Sequence, residues 1–218
     1  MSILVNFLLL LEEIINYSKK DIDKGKTPLK IYKICSCIRE TFCLSYDIRK
    51  SNVLYIYFQK ECILIKFEGE KLRFLGPDER SQALLLKKCL NKMFDNLNNS
   101  YNRWIKSTPG IFSKKFSNNF EFVDFITSIS YAKINLIIDT YRDLGGTPEL
   151  HNLDKELGLI NDTDFYIIPT YNIQENNKNI IELFKQLKTT KIISLSMIKS
   201  LEDKILYINF RKDQQDIL

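Results

Sequence analysis

The sequence predicts an α/β protein in which a mostly parallel sheet is flanked by helices. Three observations lead to this prediction. Residues 52–58 are apolar on both faces, as a central strand is. A well-started helix follows at Gly76-Pro77, and the strand–loop–strand–helix–strand order after residue 130 is typical of parallel pairs. Because the chain shows no repeat, low-complexity tract or linker, residues 1–218 are predicted to form a single domain.

The helix that opens at Gly76-Pro77-Asp78-Glu79-Arg80 is the element around which the chain is arranged. Pro77 has a fixed φ and no N–H, so it suits the first helical position. Asp78 and Glu79 place negative charge on the first-turn N–H groups. Since strands precede the helix and an αβ pattern follows it, the helix is predicted to join two halves of one sheet. Its apolar face is predicted to run to about Leu97 and to consist of Ala83, Leu86, Leu90, Phe94 and Leu97.

Three elements are predicted at the start of the chain. The run Ile3 to Leu11 is too short to span a bilayer and indicates a buried strand. The polar stretch from Asn16 to Thr27 is expected at the surface. A helix is expected from Pro28 to about Ser45, with one side formed by Ile31, Ile34, Ile38 and Phe42.

A hairpin and a turn are predicted on either side of the Gly76-Pro77 helix. The strands at 52–58 and 62–67 are separated by three polar residues, which indicates a hairpin, and 72–75 is expected as a short third strand. After the helix, Ser107-Thr108-Pro109-Gly110 predicts a turn. Residues 120–126 fit either a short helix or an apolar loop.

The last part of the chain supplies the parallel strands. Its predicted elements are, in order, a strand at 135–138, a long loop to about Asp162, a strand at 165–168, a helix with Ile180, Ile181, Phe184 and Leu187 inward, a strand at 191–195, and a segment from Leu201 that fits helix or strand.

Composition excludes several classes of function. The net charge of +5 is compatible with nucleic acid but too small to identify it. The five cysteines form no CxxC pair and His151 is the only histidine, so neither a zinc site nor a His-dependent triad is predicted. A Gly-rich phosphate loop is absent. Buried, reduced thiols predict an intracellular, cytoplasmic protein, and we expect no metal and no membrane segment.

Four motifs occur in register along roughly residues 20 to 210. They are Cys35-Ser36-Cys37-Ile38 running on to Asp47-Ile48-Arg49, then Pro77-Asp78-Glu79-Arg80, then Trp104 with Ser107-Thr108-Pro109-Gly110-Ile111, and finally Ile193-Ser194-Leu195-Ser196. In this order and at this spacing, the chain resembles the archaeal tRNA pseudouridine-54 N1-methyltransferases, which belong to the SPOUT class.

The resemblance implies a SPOUT-like α/β knot over the whole chain, in which the C-terminal segment passes through a loop as a trefoil knot. It implies S-adenosylmethionine as the cofactor, held by loops that follow Ile138 and Ile168 and that begin at Ser194. Such loops lie at the carboxyl ends of parallel strands, where ligands of open sheets bind. The resemblance further implies a tRNA partner and a homodimer whose RNA site is shared across the interface. The implied cofactor-binding residues are Ile168, Ser194, Leu195 and Ser196.

The implied reaction is methylation of N1 of a pseudouridine, at position 54 by resemblance. A sulfonium methyl is already activated, so the demand falls on aligning it with the ring nitrogen and on the proton of that nitrogen. By resemblance, Asp47 orients or accepts this proton and Arg49 holds a phosphate or a base edge. The alternative for these two catalytic candidates is a surface ion pair.

Five further residues are candidates for RNA binding, each with a structural alternative. Arg80 contacts RNA or forms a salt bridge with the acids beside it in the first turn. Pro109 and Gly110 shape a loop over the target nucleoside or form a plain turn. The Lys114-Lys115 pair lies along the RNA backbone or on a solvated face.

The chain departs from the family pattern in the cofactor loops, which leaves a second function open. Pro169-Thr170-Tyr171 stands where the family has Gly-Asp-His, and proline removes an N–H donor. After Ser196 the chain has Met197 in place of the usual proline, and later lacks a His-Cys pair. The alternative is a catalytically inactive relative that binds RNA or only dimerises.

Overall fold

The computed structural model describes residues 5–96, 102–130, 133–138, 157–161, 163–170, 178–195 and 197–217. Within these ranges, eight strands form one sheet in the order β4-β5-β3-β2-β1-β7-β6-β8. The strands are β1 (Val5–Leu11), β2 (Asn52–Phe58), β3 (Ile63–Glu68), β4 (Ile105–Thr108), β5 (Ile111–Lys115), β6 (Ile134–Ile137), β7 (Phe165–Pro169) and β8 (Thr190–Ile193). The helices are α1 (Lys19–Asp23), α2 (Leu29–Phe42), α3 (Glu79–Asp95), α4 (Asn119–Ile129), α5 (Lys178–Gln186) and α6 (Leu201–Ile217).

The sheet has a parallel part and an antiparallel part. Strands β2, β1, β7, β6 and β8 run parallel to their neighbours. Strands β3, β5 and β4 continue the sheet beyond β2 in antiparallel fashion. The predicted α/β class, the mostly parallel sheet and the parallel pairs after residue 130 are therefore confirmed.

Helices cover both faces of the central strand β2, whose seven residues are all buried. On one face Leu54 and Ile56 belong to a core shared with α2, α3 and α6. On the other face Tyr55 and Tyr57 belong to a second core shared with α4 and α5, and the Tyr57 ring stacks on Phe122 of α4. The apolar character of both faces of residues 52–58 thus arises from burial on both sides.

The chain before β2 forms two helices where one was predicted. Helix α2 buries the four predicted side chains and ends three residues before the predicted Ser45. The stretch expected at the surface contains α1, whose N-cap Ser18 forms a capping box with Asp21. Tyr17, just before this cap, is buried, and its hydroxyl donates to the Ala83 carbonyl at 2.8 Å. The prediction that residues 16–27 lie at the surface is therefore wrong for Tyr17.

Helix α3 differs from its prediction in three ways. It begins at Glu79 because Asp78 is the N-cap and accepts from the Ser81 N–H, so Pro77 lies outside the helix. Met93 is buried, whereas Phe94 is 41% exposed. The helix connects β3 to β4, which both belong to the antiparallel part, so it does not join two halves of the sheet.

The short strand predicted at residues 72–75 does not form. The free edge of β3 is instead occupied by β5, with Phe67 opposite Ile111. The chain in between turns through a short 3₁₀ segment, Gly69–Lys71, and the Leu72 N–H donates back to the Glu68 carbonyl. Sequence reasoning found only the turn at residues 107–110 and missed that β4 and β5 flank it as a hairpin.

The segment after residue 200, left open between helix and strand, is the helix α6. Its buried residues, which include Ile205, Ile208 and Asn209, pack it against α2. Residues 120–126, also left open, lie in helix α4. The strands predicted at 135–138, 165–168 and 191–195 are present with small shifts of their ends. The long loop predicted to reach Asp162 lies mostly outside the described residues.

The cysteines are free, and three of the five, Cys35, Cys37 and Cys89, are buried. Burial raises the pKa of the Cys35 thiol to about 12, so that side chain stays protonated and unreactive near neutral pH. Among the residues that the structure describes, no helix has the length and apolar character that crossing a bilayer requires.

Candidate functional site

The strand order places a topological switch at β6. From β6 the chain first adds β7 on one side, next to β1, and later adds β8 on the other side. The three carboxyl ends therefore meet at one edge of the sheet, and connections leave β6 and β7 in different directions. Ligands of open α/β sheets bind in the crevice at such a point. We call the strand ends at Ile137–Ile138 (β6), Ile168–Thr170 (β7) and Ser194–Leu195 (β8) the carboxyl edge.

The predicted cofactor residues that the structure describes lie together at the carboxyl edge. Ile168 directly follows Ile167, which pairs with Leu136 of β6, and Ser194 directly follows Ile193, which pairs with Ile137. Ile168 and Leu195 are at most 1% exposed and belong to the hydrophobic core beneath this edge. Ser196, the fourth predicted cofactor residue, lies outside the described residues.

Among the described residues of this edge, Ser194 has a polar group that is available to a ligand. Its side chain is 9% exposed, and its Oγ has no hydrogen-bond partner among the described residues. A buried hydroxyl without a partner is costly, and a bound ligand with a polar group removes that cost. An unsatisfied hydroxyl above an apolar core suits one polar group of a nucleoside-type ligand, such as the adenosyl part of S-adenosylmethionine.

The polar groups at the end of β7 are already used in hydrogen bonds to β1. Pro169 has no N–H, and the Thr170 N–H and Oγ1 both donate to the Leu10 carbonyl at 3.0 Å. Residues 169–170 therefore present no free backbone donor to a ligand. Any backbone contact to a cofactor must come from residues other than these two. Residues 139–156 and 171–177 lie outside the described residues.

The predicted catalytic residues lie at the opposite edge of the sheet. Asp47 and Arg49 precede Asn52, which is level with Val5 at the amino end of β1. Ile168 is level with Leu9, four residues further along β1. At about 3.3 Å per residue, the two groups are separated by at least roughly 13 Å along the strands. One chain alone does not bring the catalytic candidates to the cofactor candidates.

Asp47 is exposed and ionised. Its Oδ1 accepts from the Ile48 N–H at 2.8 Å, and the Lys50 ammonium lies 3.6 Å from Oδ2. The hydrogen bond from Ile48, with Lys50 adding to it, lowers the pKa of Asp47 below its usual range. At neutral pH the carboxylate is thus an acceptor, as a group that orients a ring N–H must be.

Arg49 does not pair with Asp47, which corrects the predicted structural alternative. Its guanidinium makes two parallel hydrogen bonds of 2.6 Å to the carboxylate of Asp213 on α6. The Arg49 side chain is 18% exposed and that of Asp213 is 45% exposed. The pair joins the segment before β2 to the C-terminal helix.

Breaking this pair is expected to lower stability. Arg49→Ala and Asp213→Ala should each reduce the free energy of unfolding by about 1–2 kcal/mol, because a bidentate, half-buried pair is stronger than an exposed one. Denaturant unfolding of both single variants and the double variant measures this. The double variant should lose no more than the larger single loss plus a few tenths of a kcal/mol. If Arg49→Ala weakens tRNA binding without a change in stability, and Asp213→Ala does not, Arg49 binds RNA rather than stabilising the fold.

Arg80 also has a partner other than the predicted one. Its Nε donates to Asp23 Oδ1 of α1 at 2.9 Å, rather than to the acids beside it in the first turn of α3. Both side chains are largely exposed, at 57% and 40%, so the bond contributes little to stability. Arg80 remains accessible to an anion.

Pro109 and Gly110 form the turn of the β4–β5 hairpin. Gly110 has φ +82° and lies against the backbone of Lys71 and Leu72, while its carbonyl accepts from the Glu68 N–H at 2.8 Å. The turn lies at the same edge of the sheet as Asp47, because Glu68 is opposite Val53 near the start of β2. Gly110 is buried, so it shapes this edge rather than offering a contact surface.

The structure corrects the predicted position of Lys114 and reveals a basic concavity that was not predicted. Lys114, predicted on a solvated face or along RNA, is only 7% exposed and lies among aromatic rings. Four lysines, by contrast, line a surface concavity of about 570 Å³ between α1 and α3. They are Lys19, Lys87, Lys88 and Lys92. The only sign of this concavity in the sequence is the helical spacing of Lys87, Lys88 and Lys92, which places them on the polar face of α3.

No metal centre is built within the described part of the chain, where no three His, Cys, Asp or Glu side chains come together.

The chain is similar to a family described as "putative SAM-dependent RNA methyltransferase", which matches residues 16–129. This range contains the predicted catalytic and RNA-binding residues and ends before the carboxyl ends of β6, β7 and β8.

Similar archaeal proteins bear one name, tRNA (pseudouridine(54)-N(1))-methyltransferase. That of Methanococcus maripaludis strain C5 is 31% identical over 169 residues, or 72% of this chain and 76% of that protein. That of Methanocaldococcus jannaschii is 40% identical over 86 residues, or 38% of this chain and 42% of that protein. That of Haloferax volcanii is 34% identical over 96 residues, or 44% and 46%. The last two alignments thus span less than half of each relative.

A solved structure has the same fold. The crystal structure of Archaeoglobus fulgidus Nep1 bound to S-adenosylhomocysteine superimposes with a TM-score of 0.54 and covers both chains fully, at 13% identity.

Proposed function

Because the chain belongs to the SAM-dependent RNA methyltransferase family that includes the archaeal tRNA (pseudouridine(54)-N(1))-methyltransferases, we propose that it methylates N1 of pseudouridine 54 in tRNA. The observation that carries this proposal is the match of 31% identity over three quarters of the Methanococcus maripaludis protein. The topological switch at β6 adds a physical reason, since ligands of open α/β sheets bind at such a point and the Ser194 hydroxyl beside it has no partner among the described residues.

In this proposal the chain supplies binding and positioning. S-adenosylmethionine supplies a methyl group already activated by its sulfonium charge, so no acid is needed for the leaving thioether. The Ser194 hydroxyl bonds one polar group of the cofactor, above the apolar core to which Ile168 and Leu195 belong. Asp47, ionised at neutral pH, orients the N1–H of the target base or takes its proton. Arg80 and the edge shaped by Pro109 and Gly110 contact the RNA.

The separation of the two edges supports a homodimer. Asp47 and the carboxyl edge lie at opposite ends of the parallel strands, so a complete site requires the amino edge of one protomer near the carboxyl edge of the other. Exposed apolar side chains on α2 and α6 provide a surface for such an assembly. They are Leu29, Tyr32, Leu206 and Phe210, which are 45–69% exposed.

The path of the C-terminal segment supports the trefoil knot. Strand β8 lies at the far edge of the sheet, yet α6 packs on α2, which contacts β2. The chain after β8 therefore returns across β6, β7 and β1. In the proposed knot it passes through the connection between β6 and β7. We further propose that the whole chain is one domain and that it acts in the cytoplasm, where tRNA and the cofactor are available.

One observation favours the alternative of an RNA-binding relative without a cofactor. Pro169 and Thr170 leave the end of β7 without a free backbone donor, at a position where the family has glycine. The alternative keeps the fold and the RNA surface but predicts no heat with S-adenosylmethionine.

Calorimetric titration with S-adenosylmethionine, together with methyl transfer to a tRNA transcript containing pseudouridine 54, tests the function. We expect saturable binding and one methyl group per tRNA. Ser194→Ala should weaken cofactor binding roughly fivefold through loss of one hydrogen bond, without lowering stability, since its Oγ has no partner to lose. Ser130→Ala is the matched control, because Ser130 Oγ is equally unpartnered among the described residues but precedes β6 at the other edge.

If titration with millimolar S-adenosylmethionine releases no heat of binding, the proposed methyltransferase activity is contradicted, and the RNA-binding relative without a cofactor remains. Equal loss of affinity in both serine variants would contradict the role of Ser194. Light scattering of the same sample should give twice the 25.7 kDa of one chain, and a monomer at micromolar concentration would contradict the shared site.

A further inference from the structure

The antiparallel wing of the sheet carries two neighbouring cross-strand rows of lysine and aromatic residues. In the first row Lys66 of β3 is opposite Phe112 of β5, which is opposite Lys106 of β4. In the next row Lys114 of β5 lies beside Trp104, the residue before β4. We call these five residues the lysine–aromatic face.

The ammonium groups of this face lie against the rings. Lys66 Nζ is 5.0 Å from the ring centroids of both Trp104 and Phe112. Lys114 Nζ is 5.9 Å from the Trp104 centroid and 4.4 Å from that of Phe125 on α4. Trp104 also contacts Phe112 edge to face. These contacts hold the Trp104 ring in place, although 37% of the residue is exposed.

The positive charge of the face is only partly compensated. Lys66 pairs with Glu68 at 3.1 Å. Lys106 is exposed, Lys114 is 7% exposed, and neither forms an ion pair within the part of the chain that the structure describes. Glu121 on α4 acts on Lys114 from a distance, but burial has the larger effect and lowers the pKa of that ammonium. A buried cation without a bonded anion is unfavourable unless the site binds negative charge.

We propose that the lysine–aromatic face binds an unpaired nucleotide of the RNA substrate, with its base stacked on Trp104 and a flanking phosphate beside Lys106. An ordered, exposed indole next to an exposed lysine without an ion pair among the described residues is what single-stranded RNA requires of a surface. An acidic peptide would use the charge but not the ring. This inference rests on the proposed tRNA substrate and adds a contact surface distinct from Arg80 and Gly110.

Trp104 is the only tryptophan in the sequence, so its fluorescence reports on this face alone. The probes are a ten-nucleotide oligouridine and the tRNA transcript, titrated at several salt concentrations. We expect both to quench Trp104 fluorescence saturably. A poly-glutamate peptide of equal charge should not quench it.

Binding of the labelled tRNA by four variants then separates stacking from charge. Trp104→Phe should keep most of the affinity, whereas Trp104→Ala should weaken binding about tenfold, as loss of one stacked base does. Lys106→Gln should weaken binding two- to fivefold and reduce the salt slope by about 0.7. Lys33→Gln, an exposed lysine on α2 on the other side of the sheet, is the matched control and should behave as the unaltered chain.

The outcomes distinguish this inference from the proposed function. Quenching and variant effects without methyl transfer would support the face and contradict the enzyme. Methyl transfer with unchanged Trp104 fluorescence, or with tRNA affinity unaltered in both Trp104→Ala and Lys106→Gln, would overturn the face alone. If poly-glutamate quenches Trp104 as much as oligouridine does, the face binds an acidic protein partner rather than RNA. Thermal midpoints decide whether Trp104→Ala acts through folding, and Lys106→Gln, at an exposed site, does not depend on that result.

Discussion

Replacing Gly110 by alanine is expected to lower the free energy of unfolding by about 4 kcal/mol. Two effects add. Gly110 has φ +82°, which L side chains rarely adopt. A Cβ there would also lie 2.5 Å from the Leu72 amide nitrogen and 2.7 Å from the Leu72 Cα, and backbone atoms cannot rotate away. Denaturant unfolding, or a fall of the melting temperature by about 10 °C, measures the effect.

Gly25→Ala is the matched control for this prediction. Gly25 has φ +66°, but a Cβ there meets nothing within 4 Å, so only the conformational cost of about 1 kcal/mol applies. Equal losses in the two variants would show that the hairpin turn is not pressed against Leu72. A stable Gly110→Ala variant that fails only in RNA binding would return Gly110 to the group of direct RNA contacts.

Replacing Asn209 by alanine is expected to cost about 2–3 kcal/mol of stability, because it leaves buried polar groups without partners. Asn209 is 1% exposed on α6. Its Nδ2 donates to the Glu40 carbonyl at 2.8 Å, and its Oδ1 accepts from Asn52 Nδ2 at 3.0 Å. Asn52 in turn donates to the Thr41 carbonyl at 2.7 Å. This network docks the C-terminal helix onto α2 and the start of β2.

A double-mutant cycle between Asn209 and Asn52 checks the mechanism. The two alanine variants should show a coupling of about 1 kcal/mol, since each removes a partner of the other. Gln214→Ala, at an exposed position of the same helix, should stay within about 0.5 kcal/mol of the unaltered chain. Additive losses at Asn209 and Asn52 would mean that the helix docks through its apolar residues alone.

The Gly110→Ala and Asn209→Ala variants both perturb elements that lie at the amino ends of the parallel strands. Gly110 holds the β4–β5 turn against Leu72, and Asn209 holds α6 near Asn52, three residues after Arg49. If the proposed dimer places this edge against the partner's carboxyl edge, either variant should reduce methyl transfer more than cofactor binding. Comparing the two readouts in the Asn209→Ala variant tests this link between docking and the shared site.

Much of the fold was predictable from the sequence because it depends on local periodicity and burial. The central strand 52–58 is apolar on both faces, and helix α2 has a four-residue stripe of core positions. Both signals arise from one element and its immediate environment. The parallel strands after residue 130 were predictable for the same reason.

The candidate site was only partly predictable. The motif around Ser194 was found through a resemblance, and the structure adds that its hydroxyl lies beside the switch at β6 and has no partner among the described residues. The partners of Arg49 and Arg80 could not be predicted. Asp213 is 164 positions from Arg49 and Asp23 is 57 positions from Arg80, and no periodicity encodes such distances.

By itself the sequence determined the fold class, the main strands and helices, and the family, because these follow from patterns within short stretches. Tertiary structure alone decided that β5 rather than residues 72–75 occupies the edge of β3, and that Lys114 is buried among rings. It also decided that the cofactor and catalytic candidates lie at opposite ends of the strands. The physical reason is that strand pairing, ion pairing and burial depend on which distant segments meet, and only the folded chain selects among them.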